Sequence, residues 1–85
     1  MCLIVKAKSD TFTFNNYSRD QFGRWCLVYH RGGTRCSRPI VDENDRVVKE
    51  RKPTGGEAIE AAERILGRTL LQNEVHGILD LKVIQ

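Results

Sequence analysis

Apolar and polar positions alternate with period two in several short stretches of the chain, and with helical period in one. In CLIVKAK, residues 2–8, Leu3, Val5 and Ala7 alternate with Ile4, Lys6 and Lys8, which predicts a strand. TFTF, residues 11–14, puts Phe12 and Phe14 on one face, and Asn15-Asn16 then reads as a turn leading to a loop over Tyr17 to Phe22. Trp25, Leu27 and Tyr29 alternate through the next strand, which runs into Gly32-Gly33, a two-residue connection suited to a hairpin. With that turn, Tyr29 faces Cys36, Leu27 faces Arg38 and Trp25 faces Ile40. Cross-strand partners share a face. One face of the hairpin is therefore apolar, with Arg38 as its misfit, and the other holds Arg24, His30, Arg35 and Ser37 around Cys26 and Val28.

After the DENDR turn, residues 42–46, VVKERK predicts a fifth, charged strand. Thr54-Gly55-Gly56-Glu57 has the spacing of a capping box. Ala58, Ile59, Ala61, Ala62, Ile65 and Leu66 then form one helical stripe that Gly67 ends. A looser stretch follows, and Leu79, Leu81 and Val83 alternate with Asp80 and Lys82 as a last strand. The order β-β-β-β-β-α-β predicts an α+β fold: a single mostly antiparallel sheet of about five to six short strands with one α-helix packed across it. The two terminal strands are the most apolar and are expected at its centre, adjacent to each other.

At 85 residues the chain is expected to be a single globular domain, 1–85, with too little apolar material to wall a deep pocket. Its apolar share of 40% and charged share of 29% exclude a disordered tail. No run approaches the ~20 apolar residues of a membrane helix, and the start of the chain lacks signal-peptide sections. Three thiols are too few for a disulfide scaffold and suit a reducing compartment, so the cytoplasm is expected. Net charge is only +3, but Gln21 to Val41 carries four arginines and no acid. The positive excess is thus concentrated in the hairpin.

Candidate chemistry is sparse. Cys26, His30 and Cys36 are the only close set of soft metal ligands, and the hairpin register separates Cys36 from the other two. Cys26 and His30, as nucleophile and base, would be ~13 Å apart along one strand face. Glu57, Glu60 and Glu63 read as the solvated face of the helix, and Gly55-Gly56 has neither a Walker nor a GxGxxG pattern. No catalytic residue, metal or cofactor is therefore expected, and no enzymatic activity.

The remaining feature is the basic hairpin. W-x-L-x-Y, the glycine turn and the helix, from Trp25 to Leu66, resemble in outline the three-strands-then-helix DNA-binding modules at the amino terminus of phage integrases. That resemblance implies a sheet docked in a DNA groove. A small domain with mixed charge and no catalytic apparatus is also similar in kind to phage-encoded inhibitors of host machinery, anti-CRISPR proteins among them. The expectation is a non-enzymatic binding protein, an inhibitor or modulator of a nucleic-acid-handling protein or ribonucleoprotein. Its contact residues would be Arg24, His30, Arg31, Arg35 and Arg38. The alternative is direct nucleic-acid binding through phosphates, and the protein is expected as a monomer or homodimer.

Overall fold

A computed structural model describes residues 2–84. Four strands follow one another in a meander: β1 (Leu3–Ala7), β2 (Asp10–Arg19), β3 (Trp25–Arg31) and β4 (Thr34–Pro39). Two helices follow, α1 (Gly55–Leu66) and α2 (Gln72–Leu79), and then β5 (Lys82–Ile84). The fold is α+β, with a five-stranded sheet in which β5 alone is parallel to its neighbour.

The hairpin forms in the register its glycines predict. Tyr29 pairs with Cys36 and Leu27 with Arg38, and the Ile40 amide donates to the Trp25 carbonyl at 2.8 Å. Only Gly32 of the two turn glycines has positive φ, at 60°. The helix also starts and stops as its sequence dictates. The Glu57 amide donates to Thr54 Oγ1, the Thr54 amide donates to Glu57 Oε1, and Gly67 closes the helix in the left-handed region at φ 74°.

Four expectations are corrected. The stretch 47–52 is not a strand; it makes a single bridge, Val41 to Val47. The Asp42 carboxylate accepts from the Asn44 and Arg46 amides, which bends the chain, and Lys49 to Lys52 are all exposed, so no apolar face holds them in a sheet. A second helix, α2, occupies part of the looser stretch and includes Leu79, which shortens the last strand to β5. Tyr17 to Arg19 belong to β2, because a register shift between Phe14 and Asn16 lets the strand run on. Finally, β1 and β5 are not central. Both pair with the same side of β2, β1 along Asp10 to Phe14 and β5 along Asn16 to Ser18.

The core lies between the sheet and both helices. Val5, Phe12, Phe14, Tyr17, Trp25 and Leu27 from the strands meet Ala58, Ala62, Leu66 and Ile78 from the helices. Alanines on α1 let its backbone settle close to the sheet. Where α2 crosses β1 the fit is tighter still: a Cβ on Gly77 would lie 2.7 Å from Leu3 Cδ1. The opposite face of the sheet carries no helix.

Candidate interaction surface

The five predicted contact residues divide between the two faces. His30 and Arg35 belong to the uncovered face and Arg24 immediately precedes β3, whereas Arg31 and Arg38 lie on the helix side, across from Thr34 and Leu27. Carboxylates also reach a segment that has none of its own, Asp20 from just before it in sequence and Asp10 through strand pairing. Arg24 Nε donates to Asp20 Oδ2 at 2.6 Å, and its guanidinium lies 5.3 Å from the Phe22 ring centroid. Arg31 donates to Asp10 through Nε at 2.9 Å and Nη2 at 2.5 Å while lying over Phe12. His30 Nδ1 is 2.7 Å from Asn15 Oδ1. Arg38 lines a shallow cleft with Glu57, Glu60 and Arg64. Among the described residues, Arg35 and Arg38 alone of the five have neither an ion pair nor a side-chain hydrogen bond.

The uncovered face is built from three cross-strand rows. Ile4, Thr13, His30 and Arg35 stand side by side across β1 to β4. Lys82, Asn16, Val28 and Ser37 form a second row, and Ile84, Ser18, Cys26 and Pro39 a third. Lys6 and Thr11 add a pair at the β1 corner. No strand position on this face is acidic; Asp10, the one carboxylate within a strand, pairs with Arg31 on the other side. Asp20, just beyond the end of β2, is engaged by Arg24. Lys6 and Lys82 were absent from the predicted set. Their alternation with Val5, Ala7, Leu81 and Val83 carries the signal, but only pairing of both terminal strands with β2 brings them beside the hairpin.

The centre of this face is dry. Cys26 and Val28 are each only 3% exposed. Burial, and then the nearby Asp20 charge, push the Cys26 thiol up, which keeps it protonated. Cys36, paired with Tyr29, lies on the helix side as the register predicts. Among the described residues, no group of three His, Cys, Asp or Glu side chains is placed to hold a metal ion. All the strand aromatics, Phe12, Phe14, Tyr17, Trp25 and Tyr29, point to the helix side, so the strands offer no phenyl, phenol or indole ring on the uncovered face, and exposed Phe22, just before β3, lies against Arg24.

No protein-family model matches the chain, and no curated protein or solved structure matches it. No helix among the described residues is long and apolar enough to cross a membrane. The fold and surface define a small α+β domain with one face of its sheet covered and the other cationic.

Proposed function

We propose that the protein is a stoichiometric, non-enzymatic binding protein. It inhibits or modulates a nucleic-acid-handling protein or ribonucleoprotein by laying the uncovered sheet face on an acidic surface of that partner. One observation carries this reading: an uncovered face about three strand spacings, or ~14 Å, wide that holds Lys6, His30, Arg35 and Lys82 and no strand carboxylate. Exposed Ile4 and Ile84 at its margin supply apolar contact beside the cations, the mixture that protein interfaces use. Charge complementarity of this kind sets partner choice and association rate.

The test is charge reversal at unpaired positions. Lys6→Glu, Arg35→Glu and Lys82→Glu together are expected to abolish partner capture from host lysate and to leave the circular dichroism spectrum and melting temperature nearly unchanged. Arg24 and Arg31 are left alone because their reversal would also strand Asp20 and Asp10. Undiminished capture by the folded triple variant would refute the reading.

A second reading, direct contact with nucleic-acid phosphates, is favoured by the hydroxyl and amide side chains of Thr11, Thr13, Asn16, Ser18 and Ser37 among the cations. It predicts anisotropy changes with labelled RNA or DNA that weaken steeply between 50 and 200 mM salt and need no protein partner.

A further inference from the structure

A cleft of about 200 Å³ opens on the other side of the molecule, between the start of α1, the end of α2 and β5. Its floor is aromatic, made by buried Tyr17 and Trp25, with Ala58 behind. Leu79 and Val83, 47% and 45% exposed, form its rim. Lys52 is the one charged residue that lines it, and no carboxylate does. An apolar cavity of roughly 150 Å³ holds a benzene ring, so this cleft takes one large side chain and is small for a metabolite.

We propose that the cleft receives a single aromatic side chain of a polypeptide partner, with acidic residues flanking that anchor in the partner's sequence. Size sets the anchor, and charge sets its neighbours. Anchors of this type, seated in desolvated pockets, carry a large share of binding energy at protein interfaces. β5 links the two surfaces, since Val83 borders the cleft while Lys82 and Ile84 belong to the uncovered face. The cleft does not depend on that face for its own chemistry.

The probes are acetyl-Asp-Glu-Phe-Glu-Asp-amide and the same peptide with alanine for phenylalanine, titrated into the full chain. Trp25 is the only tryptophan, so its fluorescence reports occupancy directly. A saturable change with a Kd in the millimolar range is expected for the phenylalanine peptide, about tenfold weaker for the alanine peptide. Amide shifts should centre on Gly55, Ala58, Leu79, Leu81 and Val83. Lys52→Glu and Leu79→Gln alter exposed side chains, preserve the fold and should each weaken binding at least fivefold. Equal response to both peptides, no saturation up to about 10 mM, or shifts centred on Thr13 and Arg35 would overturn the proposal. Arg35→Glu alone, on β4 and away from the cleft lining, should leave peptide binding intact while weakening partner capture, which separates failure of this proposal from failure of the sheet-face reading.

Discussion

Replacing Tyr17 with phenylalanine tests how the second helix is fastened to the sheet. Tyr17 is buried on β2, and its hydroxyl donates to the Ile78 carbonyl in the last turn of α2. Phenylalanine keeps the ring and loses that bond. The carbonyl is not orphaned, because the Leu81 amide also donates to it, at 3.3 Å. The cost at pH 7 is therefore that of one net hydrogen bond, about 1 kcal/mol, without a desolvation penalty. Alkaline pH changes the comparison. Burial pushes the Tyr17 hydroxyl up to about 12, from an ordinary value of 10. A group raised on folding contributes fully below its unfolded value and loses that contribution as pH climbs through the folded one. Two units correspond to roughly 2.5 kcal/mol, so wild type forfeits about that much between pH 10 and 12 and Tyr17→Phe does not. The variant should be the less stable protein at pH 7 and the more stable one by pH 12. Groups common to both proteins drop out of the difference. Urea unfolding followed by Trp25 fluorescence at pH 7, 10, 11 and 12 measures it. A stability difference that does not vary with pH would refute the reasoning.

Two further outcomes follow from the ionic contacts of the helices. Thr54→Ala should cost about 1 kcal/mol at neutral pH by removing half of the capping box at α1. The Arg51 guanidinium and then the Thr54 amide hold the Glu57 carboxyl down at about 2 against the opposing effect of burial. Its stabilisation is accordingly present above the unfolded carboxylate range and lost as pH falls toward 2, a loss that acid titration of Glu57→Gln should not show. Arg68 donates to both carboxylate oxygens of Glu74, the only buried charged residue among those described, so Arg68→Ala should lower the melting temperature well beyond the exposed-pair control Arg64→Ala. Equal melting temperatures for the two variants would show that the Glu74 pair contributes no more than an exposed one.

Local signals in the sequence were legible where local physics decides the structure. A two-glycine turn leaves one register for the hairpin, and Thr54, Glu57 and Gly67 bracket α1 without help from the rest of the fold. The second helix gave no such signal. It begins at Leu71, which has no side-chain oxygen to cap with, and it contains a glycine. Its first turn is held by Glu74, which Arg68 positions, and Gly77 is there because Leu3 leaves no room for a side chain. Those are tertiary reasons, invisible to periodicity. The candidate surface divides the same way. That Arg35 and His30 share a face follows from the hairpin alone. Neutralisation of Arg31 by Asp10, 21 positions earlier, and the arrival of Lys6 and Lys82 from the outer strands depend on the assembled sheet.

The bulge near Asn15 divides β2 between two neighbours, and this sets an order in time. The meander of β1 to β4 closes through short turns, a fast process. β2 and β5 meet through Asn16 and Lys82, which are 66 positions apart, so the far half of β2, held by β3 along one edge, waits along its other edge for the most distant pairing in the sheet. Val83 and Leu81 border the apolar cleft, whose rim is therefore incomplete until that pairing is made. A partner that reads the cleft ignores nascent and misassembled chains and engages only copies whose folding is complete.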